Sequence, residues 1–165
     1  MTGTTRVIIG LDGSLGSLAA LYRAVAEAGA RSAVLVPVAA WTPTGADGPR
    51  PDSELEHAAR RRIDTAFEQT FGGCPAHLVI HPVVARGEAG PALTSAVNGH
   101  GDLIVLGAAR SGRLLPVRHG STARHCRAHA ACRVVTVSPS DLPHSLEHAA
   151  RSGAPLPLAA GARAR

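Results

Sequence analysis

The chain contains no lysine; all 17 of its basic residues are arginine. That absence excludes a Walker A loop, whose Lys reaches the phosphates. It also excludes a pyridoxal Schiff base, a Lys nucleophile and the ATP-anchoring Lys of protein kinases. Aromatic residues are nearly as scarce: Tyr22, Trp41, Phe67 and Phe71 make up 2% of the 165 residues. The core must therefore be aliphatic, and nucleic-acid binding through an aromatic stacking platform is not expected. Three cysteines, Cys74, Cys126 and Cys132, are an odd number without framework spacing. They point to a reduced, cytoplasmic compartment. No run approaches the ~20 apolar residues of a membrane helix. The opening Met1–Arg6 is too short and polar for a signal peptide.

What is present reads as one globular domain: 45% hydrophobic and 18% charged residues, with a formal net charge of +5. The positive charge is unevenly placed. Between Leu103 and Ser140 lie six Arg and no Asp or Glu, which is either a solvated basic surface or a site for something anionic.

Apolar runs and helical periodicities alternate along the chain. Arg6–Leu11 (RVIIGL) suits a buried parallel strand. Leu18, Leu21, Val25 and Ala28 line one face of a helix over 15–29, with Gly29 as its stop. Ala33–Ala40 is a second strand in which Pro37 demands a bulge or a strand end. After a Pro- and Gly-rich loop, Ser53-Glu54-Leu55-Glu56 has the spacing of a capping box and starts a helix that Gly72-Gly73 ends. Ala76–Ala85 is a third strand, pushed towards an edge by Pro82. Pro91–Val97 is a short helix, Asp102–Gly107 a fourth strand, 120–130 a helix and Arg133–Ser138 a fifth strand. The pattern predicts a Rossmann-like α/β fold, an open five-stranded parallel sheet with helices on both faces; its expected strand order is 3-2-1-4-5. The domain should span residues 1–140. Residues 141–165, rich in Pro, Ala, Gly and Arg, form an extension that is partly helical or disordered.

Ligands of such sheets bind beyond the carboxyl ends of the strands, where the strand order reverses. The fourth strand ends at Gly107, and the following loop carries Arg110, Arg113 and Arg118 to Gly120-Ser121-Thr122 at a helix start. A helix N-terminus presents N–H groups and partial positive charge to an anion. The arrangement is either a phosphate site or an ordinary helix cap beside a solvent loop. Other constellations are weaker. His125 and His129 stand one helical turn apart near Cys126 and Cys132, but the Cys do not share the His face. His77 and His81 read as one polar strand face. Ser14 and Ser121 lack a His/Asp arrangement. Gly10, Gly13 and Gly16 do not form G-x-G-x-x-G.

VIIGLDGS (7–14), DLIVLG (102–107) and HGSTARHCRAHAACRVVTV (119–137) together resemble the universal stress protein family, over about residues 4–138. Nucleotide-binding members of that family carry Gly, two residues, Gly, nine residues, then Gly followed by Ser or Thr. Here the positions fall on Gly107, Arg110, Gly120 and Ser121. The spacing is kept, and Arg replaces the second Gly. Arg110 either crowds the phosphates or pairs with one as a fork of donors, and Gly112 restores some flexibility. The resemblance implies ATP or a related adenine nucleotide, with Mg²⁺, as cofactor. It places Leu11 and Asp12 beside the adenosine and Val38 as an apolar wall for the adenine. It gives backbone and packing contacts to Leu106, Ala109 and Thr122. From the residues alone, the alternative for Asp12 is an Asx turn capping the next helix, and for Val38 plain core. The resemblance also implies a homodimer through the last strand, with Val134, Val135 and Val137 on an apolar edge.

Two functions follow from this reading. One is a nucleotide-binding stress-response regulator without catalytic residues. The other is a dimeric scaffold of the same family that has lost the nucleotide. A third, an adenylyl-transferring or ATP-pyrophosphatase enzyme on a related fold, lacks its HIGH-like or SGGxDS-like signature; GLDGS is only a distant echo.

Overall fold

The structure is a computed structural model and describes residues 3–43, 50–108 and 120–141. Ala109, Arg110, Gly112, Arg113, Arg118 and the extension beyond Asp141 lie outside the described residues.

Five apolar strands build the sheet: β1 (Arg6–Gly10), β2 (Val34–Trp41), β3 (Val83–Arg86), β4 (Leu103–Gly107) and β5 (Arg133–Val137). The helices between them are α1 (Leu15–Arg31), α2 (Asp52–Phe71), α3 (Ala89–Ser95) and α4 (Gly120–His129). Every neighbouring pair is parallel, as the alternation predicts, and the order is the expected β3-β2-β1-β4-β5. Side chains of successive strand residues point to opposite faces. Val7 and Ile9 therefore join Leu21, Ile63 and Phe67 under α1 and α2. Ile8, Val36, Val38, Ile104 and Leu106 join Leu93 and Cys126 under α3 and α4. The core is aliphatic apart from Phe67 and the rim residue Trp41.

Four local expectations are corrected. The first helix does not stop at Gly29 but runs to Arg31, where Ser32 takes the left-handed conformation (φ 51°). Ala33 N–H then reaches back to Ala28 O at 2.9 Å, closing a Schellman turn. Glu27, bridging Arg23 and Arg31 at 2.9 and 3.0 Å, carries the helix over its last turn. Since a Cβ is costly in this conformation, Ser32→Gly should raise stability by about 0.5–1 kcal/mol, read as a higher urea midpoint at unchanged m-value.

The capping box does not form. Pro51 O already accepts from Glu54 N (3.0 Å) and Leu55 N (3.2 Å), so the helix opens at Asp52 and Ser53 falls inside the first turn. Gly72 (φ 70°) ends it as expected.

The third strand is shorter than predicted. Only the Leu35–Ile80 bridge and Val83–Arg86 pair with β2, and the ladder breaks at Pro82. His77 and His81 are exposed and lie outside any strand. Pro37 occupies neither a bulge nor an end; it sits mid-strand opposite Ile9. Val34 N–H points at Thr5 on the β1 side, and Leu35 N–H points at Val79 on the β3 side. Two residues on, position 37 faces β3 again, so Pro37 removes the donor that would reach His81 O, and the ladder is interrupted between the Leu35–Ile80 bridge and Val38–Val83.

At the amino end of the sheet, Asp102 ties three segments together. It is buried, its Oδ1 accepts from Arg6 N (2.8 Å), and its Oδ2 accepts from Asn98 N (2.7 Å) and Gly99 N (3.2 Å). The Arg6 guanidinium completes the clasp by donating to Ala96 O at 3.1 Å.

Candidate functional site

The chain crosses from one side of β1 to the other between β3 and β4, so the strand order reverses between β1 and β4. These two strands run in register, with Ile9 opposite Val105, and their carboxyl ends open side by side. Leu11 extends β1 by one bond, donating its N–H to Val38 O at 2.9 Å. Leu11, Val38 and Leu106 are thereby assembled around the reversal point, each 5% exposed or less. Val38 packs as core with Leu93 and Leu106.

Beyond Leu11 the chain turns sharply. Asp12 Oδ1 accepts from Ser14 N at 2.9 Å, which is the Asx turn considered from sequence, and Gly13 (φ 84°) completes it. Ser14 then caps α1, its Oγ accepting from Ser17 N at 3.2 Å.

Gly107 has a role that spacing could not indicate. A Cβ built on it would lie 2.4 Å from Gly16 C and 2.8 Å from Ser17 N. The first turn of α1 rests on the end of β4, and glycine at 107 is what lets it. Whatever its part towards a ligand, Gly107 is required by this helix contact. Ala108 N–H is likewise used, donating to Val137 O at 2.7 Å.

Helix α4 runs back from the carboxyl edge of the sheet into β5, so its N-terminus opens at that same edge. Ser121 is exposed, Thr122 is half-buried, and no acidic residue stands in the first turn. Leu11, Asp12, Val38, Leu106 and Gly107 are thus brought together. Gly120, Ser121 and Thr122 share their edge, and Ala109 and Arg110 fall outside the described residues.

Sequence reasoning missed Arg62. Its Nη1 donates to Ala40 O at the end of β2 (3.2 Å), and its Cγ and Cδ lie 3.7 Å from where a Cβ on Gly13 would sit. In the run Arg60-Arg61-Arg62 it reads as solvated helix face. Only the phase set by Ala59 and Ile63 hints that Arg62 flanks the buried stripe.

The His pair contacts itself, and the three cysteines are free thiols, Cys74 exposed, Cys132 half-buried and Cys126 buried. His125 and His129 stack with centroids 4.3 Å apart, and His129 Nδ1 meets His125 O at 3.0 Å. Among the described residues no group of three His, Cys, Asp or Glu could hold a metal ion. Cys126 is fully buried, which pushes its thiol up to about 11, with nearby Cys132 adding to the shift. Burial also raises Cys74, Cys132 and Tyr22, and the charges of Asp64 and Glu68 add to the effect at Cys74. With no lysine, these four side chains dominate the alkaline titration. Each holds its proton more tightly folded than unfolded, so the stability they contribute is complete below about pH 9 and is lost as pH rises towards 11. Denaturant midpoints should fall steadily over that window, and Cys126→Ala should flatten part of the fall.

A doubly wound α/β domain that gathers a polar turn and a helix N-terminus at its reversal point has a Rossmann-like ligand-binding architecture. Within that class, the chain belongs to the Universal stress protein family, whose sequence profile matches residues 3–138. Among solved structures, it is similar to universal stress protein UspA from Lactobacillus plantarum, with 21% identity and a TM-score of 0.58, covering 83% of this chain and 99% of that one. A universal stress family protein from Burkholderia pseudomallei matches at 22% identity and a TM-score of 0.58, over 83% and 98% of the two chains. A universal stress protein solved in complex with cAMP matches at 22% identity and a TM-score of 0.49, over 84% and 99%. These likenesses concern the fold. No curated protein matches the chain in sequence. No described helix is long and apolar enough to cross a membrane.

Proposed function

We propose that this stress protein binds ATP or a related adenine nucleotide between the carboxyl ends of β1 and β4, and acts as a regulatory module rather than an enzyme. The observation that carries the reading is the strand-order reversal, with the Asp12 turn on one side and an acid-free helix N-terminus on the other. The donor chemistry fits the ligand. Ser121 and Thr122 head a helix whose N-terminal N–H groups suit phosphates, while Asp12 stands on the side where a ribose would lie. Arg110 would act as a phosphate donor. Mg²⁺ would arrive on the phosphates, since no three-carboxylate or histidine cluster stands among the described residues. The nucleotide supplies the signal, and no residue is assigned a catalytic step.

The working form is a cytoplasmic homodimer joined through β5. Among the described residues β5 pairs only with β4, leaving its outer edge for a second copy, with Val134 and Val135 half-buried and Val137 buried beside it. Val135→Lys should convert the dimer to a monomer on sizing; a persisting dimer removes this interface.

A second reading, a scaffold without nucleotide, is favoured by Arg110 and by the use of Gly107 for helix packing. Calorimetric titration with ATP, with and without Mg²⁺, decides between them. Micromolar binding that Arg110→Gly weakens supports the regulator. No binding at millimolar ATP, with affinity created by Arg110→Gly, supports the scaffold.

A further inference from the structure

Arg62 is an arginine held at the ligand edge without a charge partner. It leaves α2, lays its stem along the Gly13 turn and spans to the last residues of β2, where Nη1 donates to Ala40 O at 3.2 Å. That carbonyl is its one hydrogen-bond partner among the described residues, and no carboxylate there lies within ion-pair distance. Other arginines are used differently. Arg23 and Arg31 pair with Glu27, and Arg86 pairs with Asp52 at 3.5 Å while lying over the Trp41 ring at 5.7 Å. A guanidinium carries five donors in one plane, so Arg62 keeps several in hand where β1 and β2 end.

We infer that Arg62 is a specificity-determining residue of the nucleotide site, reading the nucleoside half of the ligand. This rests on the nucleotide reading above. The side of the sheet decides which half it meets. Phosphate donors belong to β4 and the N-terminus of α4, whereas Arg62 sits across β1, over the β1–β2 seam. Along the sheet edge the β1–β2 seam lies between one and two strand spacings of ~4.8 Å from β4, and α2 and α4 cover opposite faces, so Arg62 and the α4 N-terminus approach the edge from different sides. There its unused N–H groups meet the ring nitrogens and ribose oxygens of a nucleoside, all acceptors, and its flat cation can lie on a purine face.

The experiment titrates the full chain with ATP, adenosine and inorganic tripolyphosphate, comparing the natural protein with Arg62→Met and Arg62→Lys. Met keeps the stem against Gly13 and removes the donors; Lys keeps charge without the planar fork. Both variants should weaken ATP and adenosine about tenfold and leave tripolyphosphate within about twofold. An equal loss for all three ligands would place Arg62 on the phosphates and overturn the inference, as would unchanged adenosine binding. If the natural protein binds neither ATP nor adenosine, the nucleotide reading itself fails and takes this inference with it. If it binds both and the variants match it, only the role of Arg62 falls. Should Arg62→Met lose its far-ultraviolet dichroism, Arg62→Lys carries the comparison alone.

Discussion

Adding one methyl group at Gly107 should cost about 3 kcal/mol and lower Tm by roughly 6–12 °C. A Cβ there would lie 2.4 Å from Gly16 C and 2.6 Å from Gly16 O, and both are backbone atoms. A flexible side chain could swing aside, but a helix backbone cannot. Relief requires α1 to lift from the end of β4, and α1 carries Leu21, Ala24 and Ala28, all fully buried against the sheet. No compensating change exists at the other side of the contact, because residue 16 is already glycine and a Cβ there would itself meet Ala108 O at 3.2 Å. Gly107→Ala should therefore show its full effect in a thermal melt without ligand. A variant that melts at the natural temperature would mean that helix and strand are less closely apposed than described. The result also governs how binding data are read: loss of nucleotide affinity in Gly107→Ala is informative only beside a measured stability, since the packing defect alone would distort the turn that holds Asp12.

Asp102→Ala should be comparably severe, at about 3–4 kcal/mol in chemical denaturation. The carboxylate is 5% exposed and receives three backbone N–H groups, from Arg6, Asn98 and Gly99. Hydrogen bonds to a charged group contribute about 1.5–3 kcal/mol each, and deleting the acceptor leaves three part-buried donors to find water instead. Asp102→Asn separates the two oxygens. It keeps one carbonyl acceptor and should recover about half of the loss, at the expense of setting an amide N–H₂ against whichever N–H groups it then faces. The clasp lies at the end of the sheet opposite the candidate site, so it should be possible to weaken the fold this way while leaving the turn at Asp12 intact.

The alternation of elements and the parallel sheet were legible because each strand is a short aliphatic run and each long helix buries an apolar stripe. Those signals are local and strong. The errors came where neighbours decided the outcome. Gly29 looked like a stop, but Ala28 had to seat in the core and Glu27 had Arg31 to hold, so the helix outran it. Ser53 had the spacing of a cap, but Pro51 had already supplied the first acceptor. Pro37 is tolerated mid-strand because its ring faces the short, interrupted β2–β3 ladder rather than the continuous β1–β2 one. The candidate site divides in the same manner. Gly107 is singled out by its place at a strand end, and Leu11, Asp12, Val38 and Leu106 by the resemblance; the structure gathers them at one edge. Arg62 was invisible because a long side chain on an outwardly polar helix gives no sequence signal of where its tip rests. Gly107 was noticed for one reason and is required for another.

The two edges of the sheet are unlike, and this limits how copies of the chain can add to one another. On the β3 side the ladder is broken by Pro82, and only four residues, Val83–Arg86, form a continuous strand. On the β5 side, Arg133–Val137 runs without a break. An unbroken edge can accept a matching edge from another copy, whereas an edge interrupted by proline is a poor template. On the proposed dimer through β5, each copy would be left with only its β3 edge outward, so growth would end at two, a pair closed by a twofold axis rather than the first step of a filament.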